Sequence, residues 1–235
     1  MRNLISIGLL LLAALGLVPM CICAQGTFAN LDFEAANLPS WPAGQSGGSV
    51  PIAAGLPGWA GYLDTNSVAQ VMHNDSAVSS VNISILGPFY SPGSVLEGSF
   101  TVLLQAGIID PFGNERLAPA SISQTGLVPS DAQALLFRTD LSARDFRVTL
   151  GGSLVPVVEL SASGNYKVWG GNIPGYANTL SELRLTALST GSHPFNNLFL
   201  DAIVFSNQQI PEPRAIGLLG LGATLLGWRF LCKRP

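Results

Sequence analysis

Residue types that could carry catalysis are few in this sequence and lie far apart. Residues 44–48 read Gly-Gln-Ser-Gly-Gly, which matches the G-x-S-x-G string of a serine nucleophile. That motif needs a strand before the serine and a helix after it, whereas both flanks here are rich in proline and glycine. The two histidines, His73 and His193, stand in turn-like contexts. The sequence therefore disfavours a serine hydrolase and gives no histidine metal site.

Carboxylates and aromatic rings provide two other chemistries. Glycoside hydrolysis uses a pair of carboxylates, but nothing singles out a pair among Asp64, Asp110, Glu115, Glu159 and Glu182. Large aromatic rings on loops can stack on sugars, or else they pack in a core. The rings that offer such a platform are Trp41, Trp59, Tyr62, Trp169 and Tyr176, with the three tryptophans as the first candidates for ligand binding. Carbohydrate binding is thus one alternative for this chain, and an extracellular hydrolase is another.

Charge and cysteine content exclude several classes of protein. The sequence has 14 Asp and Glu against 11 Lys and Arg. Five of those cations lie near the ends, at positions 2, 214, 229, 233 and 234, so the body between them is acidic. An acidic body disfavours nucleic acid and anionic membrane surfaces as partners. Because Cys21, Cys23 and Cys232 also lie at the ends, the body is not a disulfide scaffold, a thiol enzyme or a cysteine-ligated zinc module.

The first 24 residues have the pattern of a secretory signal peptide. Arg2 supplies a short positive region, residues 4–18 are almost entirely apolar, and Ala24 provides a small residue before a cleavage point at Gln25. An uncleaved membrane anchor is the alternative. Either interpretation predicts an exported body.

The carboxyl end has three successive parts. A stiff, extended segment is predicted first, because each proline lacks an N–H and restrains the residue before it; it consists of Pro211, Glu212 and Pro213. Residues 215–228 carry no charge, and snorkelling of the next side chain, that of Arg229, brings the segment close to the roughly 20 residues that a membrane-spanning helix needs. A transmembrane helix and basic cytoplasmic end are therefore predicted over residues 215–235, with an amphipathic or core helix as the alternative. The residues that hold this end in the cytoplasm by the positive-inside rule are Arg229, Lys233 and Arg234.

This order of a Pro-Glu-Pro triplet, an apolar segment and a basic end resembles the PEP-CTERM sorting signal of exported proteins in Gram-negative bacteria that make extracellular polymer. Ile210 stands where the family more often has Val, and Arg214 where it often has Ser or Thr. The resemblance implies that exosortase, a multi-pass membrane protease or transpeptidase, recognises the triplet. It also implies an intermediate anchored in the inner membrane and final delivery to the cell surface or outside the cell. We therefore expect a non-enzymatic component of the cell surface or extracellular matrix, or alternatively a module that binds the organism's exopolysaccharide.

The body, residues 25–206, is predicted to be an all-β sandwich, and residues 207–214 form a linker that contains the triplet. Glycines at 151 and 152 predict a hairpin between two of the strands, and residues 39–61 have the composition of a long ordered loop. Short apolar or alternating runs separated by turn residues, with no long amphipathic helix, favour this class. The predicted strands are residues 28–34, 68–72, 78–86, 99–109, 133–138, 146–150, 155–160, 166–169, 182–188 and 198–205.

Three short stretches carry a second resemblance. Residues 30–34 (Asn-Leu-Asp-Phe-Glu), 57–59 (Pro-Gly-Trp) and 200–206 (Leu-Asp-Ala-Ile-Val-Phe-Ser) resemble the first strand, an early loop and the last strand of galactose-binding-like jelly-roll domains. In that family the first and last strands are adjacent, and acidic residues on them often hold a structural calcium ion. The resemblance therefore implies a jelly-roll-like sandwich with Glu34 and Asp201 as calcium ligands, Ca²⁺ being a cation that prefers oxygen ligands. The alternative is that both are solvated residues at strand ends.

Overall fold

The computed structural model describes residues 26–39, 47–76 and 80–211, and these residues form two β-sheets packed face to face. An all-β, jelly-roll-like sandwich is thus confirmed for this part of the chain. The helical content of the described residues is a single four-residue turn, α1 (Ile52–Gly55). None of their helices is long and apolar enough to cross a membrane. The predicted signal peptide and transmembrane helix, residues 1–24 and 215–235, lie outside the described residues.

The strands divide into an eight-stranded sheet, a six-stranded sheet and a small hairpin. The eight-stranded sheet has the order β1 (Ser49–Pro51), β4 (Gln70–His73), β5 (Asn82–Leu86), β6 (Thr101–Ala106), β16 (Asn196–Ser206), β10 (Ala134–Asp140), β14 (Tyr166–Asn172) and β13 (Val158–Ser163). The six-stranded sheet has the order β12 (Ser153–Leu154), β11 (Phe146–Leu150), β15 (Leu180–Ala187), β9 (Ala120–Leu127), β2 (Ala60–Leu63) and β3 (Asn66–Val68). The hairpin pairs β7 (Ile108–Ile109) with β8 (Glu115–Arg116). Of the pairings between described strands, β4 with β5 is parallel.

Alternation along the strands builds the core between the two large sheets. In β15, Leu183 and Leu185 are buried while Glu182 and Arg184 are half-buried on the opposite face. The same period of two in β9 points Ile122 inward. Each large apolar side chain that is fully buried in this way contributes about 1.5–3 kcal/mol. The sandwich therefore has one face of each sheet in the core and one face turned outward.

The opening segment differs from the strand that alternation predicts over residues 28–34. It forms turns instead, because Asn30 and Phe33 adopt positive φ angles of 52° and 61°, which lie outside the β region. The amide of Asn30 stabilises the turn by donating to Pro57 O (3.2 Å) and accepting from Ala35 N (2.9 Å). The segment still lies beside the last strand, since Ile203 N donates to Leu31 O at 3.0 Å.

Local geometry alters two other predictions, one of a single long strand and one of a hairpin. Residues 99–109 form β6 and β7 with a break at Gly107, whose φ is +97°. The glycines at 151 and 152 do take positive φ and close a hairpin, but its second strand is the two-residue β12. The predicted partner, residues 155–160, instead continues into β13, which pairs with β14 in the other sheet. The chain thus crosses from one sheet to the other directly after the turn.

Candidate functional site

The outward face of the six-stranded sheet carries a cluster of polar side chains from three adjacent strands. Strand register brings them together: Tyr62 on β2 pairs with Ser121 on β9, and Ser123 on β9 pairs with Arg184 on β15. Residues two apart in a strand point to the same face, so Glu182 lies beside Arg184. We name these five residues the Arg184 cluster.

Arg184 is the centre of the cluster. Its Nε and Nη2 donate to one oxygen of Glu182, Oε1, at 3.1 and 2.7 Å. Its Nη1 donates to Ser121 Oγ at 3.2 Å, and its guanidinium carbon lies 4.2 Å from the centroid of the Tyr62 ring. The small serines leave room for the guanidinium to lie across β9, and this cover makes them almost inaccessible, with Ser121 and Ser123 at 5% and 4% exposure.

The charge state of Glu182 follows from its partners. Partial burial opposes its ionisation, but hydrogen bonds from Ser123 and Arg184, together with the positive charge of Arg184, outweigh this and hold the pKa of Glu182 below its usual value. The side chain is therefore ionised at neutral pH. The cluster presents a half-buried, mutually neutralised ion pair.

A shallow cleft of about 500 Å³ lies over the cluster, between β2, β9 and β15 and the loop that holds Gly58 and Trp59. We call the loop that holds Gly58 and Trp59, together with the opening segment beside it, the rim of the cleft. Gln124 holds the opening segment in place, because its side-chain amide forms two hydrogen bonds with the backbone of Ala29. Ala29 N donates to Oε1 at 2.6 Å, and Nε2 donates to Ala29 O at 2.9 Å. Gly58 passes over that amide with a φ of +85°, and a Cβ there would lie 3.1 Å from Gln124 Nε2. A side chain at position 58 would therefore be strained by the positive φ and would crowd the Gln124 amide.

Trp59, a predicted ligand-binding residue, lines this cleft but is itself only 5% exposed. Its indole Nε1 donates to Asn30 O at 2.9 Å, and its ring packs on Phe33 with centroids 5.6 Å apart. Trp59 thus anchors its loop to the opening segment. The ring has little surface left for a sugar to stack on.

Trp169, a second predicted ligand-binding residue, does not join Trp59 in a platform. Trp169 lies on β14 in the eight-stranded sheet, where it packs edge-on against Phe146 at 5.0 Å and donates from Nε1 to Thr139 Oγ1 at 2.8 Å. Trp41 lies outside the described residues.

The two predicted calcium ligands converge on one loop from opposite sides. Glu34 Oε1 accepts from Ser99 N and Phe100 N at 2.8 and 2.9 Å. Asp201 Oδ2 accepts from Glu97 N at 3.0 Å and from Thr101 Oγ1 at 2.6 Å. We name residues 94–101 the strap, because these contacts hold it against Asp201 in the middle of β16.

This arrangement does not fit the calcium site that the resemblance implies. Calcium takes six to eight oxygen ligands, whereas Glu34 Oε1 and both carboxylate oxygens of Asp201 accept hydrogen bonds from backbone N–H groups and the Thr101 hydroxyl. Burial raises the pKa of Asp201 to about 7, despite hydrogen bonds from Thr101, Glu97 and Ala202 that favour the charged form. In residues 26–39, 47–76 and 80–211, no group of three or more His, Cys, Asp or Glu side chains could hold a metal ion. Calcium binding by Glu34 and Asp201 stays a prediction from the resemblance alone.

The predicted sorting motif is described only at its first residue. Pro211 is exposed, and the remaining residues of the motif and the basic end lie outside the described part of the chain: Glu212, Pro213, Arg229, Lys233 and Arg234. The serine of the G-x-S-x-G string also lies outside it. Of the histidines, His193 contacts Asp145 through Nδ1 at 2.6 Å, and His73 is 7% exposed.

Most of the Arg184 cluster is absent from the residues that the sequence singles out for binding. Tyr62 and Glu182 appear among the candidate aromatics and carboxylates, but the two serines and Arg184 do not. One pattern does indicate part of the cluster: Glu182 and Arg184 are two residues apart in a predicted strand, which places both on one face. The serines belong to β9, a strand that the sequence analysis does not predict.

No family model matches this chain, and no curated protein matches it. Two solved structures are similar at 12% sequence identity. The enzymatically active domain of tailspike protein 4 from bacteriophage CBA120 is matched over 63% of this chain and 19% of that chain, with a TM-score of 0.37. TmCBM61, solved in complex with β-1,4-galactotriose, is matched over 78% of this chain and 99% of that chain, with a TM-score of 0.39. At these scores neither likeness bears on the function of the Arg184 cluster.

Proposed function

We propose that this chain is an exported, non-enzymatic protein of the cell surface or extracellular matrix whose β-sandwich binds carbohydrate at the Arg184 cluster. The observation that carries the proposal is the open cleft over a preorganised set of hydrogen-bonding groups on an outward sheet face. Arg184 supplies donors, Glu182 supplies acceptors, and both are held in place by protein contacts. Sugars present hydroxyl groups that donate and accept, so a fixed donor–acceptor pair complements them.

The chemistry of the cleft supports binding rather than hydrolysis. Glycosidases use two carboxylates, one of which is an acid with a raised pKa. Among the described residues that line this cleft, Glu182 is the one carboxylate, and its pKa is lowered. A residue with this charge state serves as a hydrogen-bond acceptor for a ligand.

Affinity electrophoresis of the full-length chain in gels that contain different polysaccharides tests the binding proposal. Arg184→Ala removes the donors and Tyr62→Ala removes the ring that supports them, so each should weaken retention by at least about tenfold, equivalent to about 1.4 kcal/mol. Arg147→Ala is the matched control, because Arg147 is exposed on the same sheet but does not line the cleft. Full retention of both cluster variants would contradict the proposal.

The carboxyl end supports a separate part of the proposal, namely sorting by exosortase through Pro211, Glu212 and Pro213. The three-part order of the tail and the signal-peptide pattern of residues 1–24 support this part. Intact mass and cellular location in the native host, with and without the exosortase gene, provide the test. We expect loss of the tail only when the gene is present. An intact tail in both strains would mean a permanent anchor and would refute processing.

A further inference from the structure

The charges in the cleft indicate which carbohydrates it takes, if the proposed binding function holds. Among the described residues that line the cleft, Glu182 and Arg184 are the charged ones, and they neutralise each other. No excess positive charge is present there to attract an anionic sugar. The protein as a whole carries a net charge of −3, which adds a weak repulsion at longer range.

The hydrogen bonds of Arg184 also disfavour an anionic sugar. A guanidinium has five N–H donors, and three of them are used within the cluster, by Nε, Nη2 and Nη1. The other two donors lie next to a carboxylate that is ionised at neutral pH. A carboxylate, sulfate or phosphate that approached these donors would come close to Glu182 and be repelled by it.

A neutral hydroxyl group fits this pair without such a conflict. It can accept from a free N–H of Arg184 and donate its own hydrogen to Glu182, so one hydroxyl satisfies both partners. We infer that the Arg184 cluster binds neutral sugar units through hydroxyls that bridge Glu182 and Arg184, and that it rejects uronic acids and sulfated or phosphorylated sugars. Glu182 is then the residue that determines specificity.

Matched pairs of polymers test this inference. The full-length chain is run in affinity gels that contain dextran, galactan or mannan, and in parallel gels with the carboxymethylated form of each polymer. We expect retention by at least one neutral polymer, and at least tenfold weaker retention by its carboxymethylated form.

Glu182→Gln supplies the decisive variant, because it leaves Arg184 without its counter-charge. We expect Glu182→Gln to be retained more strongly than the wild type by carboxymethylated polymers, and this gain to disappear at about 0.5 M salt as expected for an exposed charge. The matched control is Glu159→Gln, because Glu159 also forms an ion pair, with Lys167 at 3.0 Å, but lies in the eight-stranded sheet. Glu159→Gln should behave as the wild type.

A second variant tests the same inference independently, in case Glu182→Gln does not fold. Thr125 is exposed and pairs with Glu182 across β9 and β15, so Thr125→Lys adds a positive charge to the cleft and keeps the ion pair. It should also gain retention on carboxymethylated polymers. Equal or stronger wild-type retention on the charged form of a bound polymer would overturn the inference and leave carbohydrate binding intact. Absence of retention on every neutral and charged polymer would refute the proposed function and the inference with it.

Discussion

The outward faces of the two large sheets differ in whether other segments of the chain cover them. On the eight-stranded sheet, segments of the chain itself lie over the face: the strap buries Asp201 to 1% exposure, and Ile210 packs beside Gly170. On the six-stranded sheet, the face around Arg184 stays open and carries the cleft. One sheet thus uses its outward face for internal contacts, while the other leaves its hydrogen-bonding groups available.

The residue types at outward positions explain the difference between the region around Gly170 and the region around Arg184. Around Gly170 the neighbouring side chains are aliphatic, from Leu136, Leu160 and Ile210, and covering them removes apolar surface from water. The corresponding region of the six-stranded sheet carries hydroxyls and an ion pair, for which burial would cost free energy. A ligand that replaces water there can keep the same hydrogen bonds. The open face is therefore the one suited to a polar ligand.

The cover on the eight-stranded sheet is specific and extends to the start of the predicted sorting motif. The side-chain amide of Asn172 pairs with the backbone of Ile210: Ile210 N donates to Oδ1 at 2.7 Å, and Nδ2 donates to Ile210 O at 2.9 Å. The segment that precedes Pro211 is thus held against the sheet.

The largest effect should come from the titration of Asp201 under the strap. Its pKa is about 7 in the folded protein and 3.8 in the reference state, so the folded protein binds the proton more tightly. The stabilisation is complete below about pH 3.8 and is lost as the pH rises through about 7, which amounts to roughly 4 kcal/mol. Urea unfolding between pH 4 and pH 8.5 should show this fall for the wild type.

Asp201→Asn should remove most of that pH dependence, since an amide does not ionise. Asp131→Asn, at an exposed carboxylate, is the control and should retain the slope of the wild type. Equal slopes in the wild type and in Asp201→Asn would show that Asp201 does not titrate in this range.

The next largest effect concerns Ile210, which covers Gly170 on the outward face of the eight-stranded sheet. In Gly170→Val, the added Cβ would lie 2.4 Å from Ile210 Cδ1 and 2.7 Å from Leu136 Cδ2. We expect Ile210 to be displaced and the free energy of unfolding to fall by about 1–3 kcal/mol. Hydrogen exchange at the Ile210 amide should accelerate with it.

Gly191→Ala is the control for this substitution, because a Cβ at position 191 has open space around it. It should leave both the unfolding free energy and the exchange of Ile210 unchanged. Unaltered exchange at Ile210 in Gly170→Val would show that the contact does not hold the segment.

The class of fold could be predicted from the sequence, but the site could not. Alternation of apolar and polar residues is local, and it locates β15 and β16 to within two residues at each end. The same pattern misleads at residues 28–34, where the left-handed conformations of Asn30 and Phe33 are imposed by the turn and by core packing. Local pattern therefore predicts the class more reliably than it predicts each strand.

The Arg184 cluster depends on which strands become neighbours. Tyr62, Ser121 and Arg184 are brought together by the order β15-β9-β2, and that order is a property of the whole chain. The serines of β9 are also small polar residues, which in sequence resemble a loop. Contacts of this kind appear only when the sheet is assembled.

The last comparison concerns the loss of one hydroxyl group on each face, and it includes the smallest expected effect, that of Ser121→Ala. Thr101→Val removes a fully buried hydroxyl that accepts from Leu96 N at 2.9 Å and donates to Asp201. Because two buried partners lose their hydrogen bonds, the free energy of unfolding should fall by about 1–3 kcal/mol. Ser121→Ala removes one acceptor from Arg184, whose bonds to Glu182 remain and whose side chain is only half-buried, so we expect a loss within about 0.5 kcal/mol. Urea unfolding at one pH measures both variants. Equal losses of unfolding free energy would mean that water reaches the face around Arg184 no better than it reaches the groups under the strap. The cleft would then be closed to sugars as well.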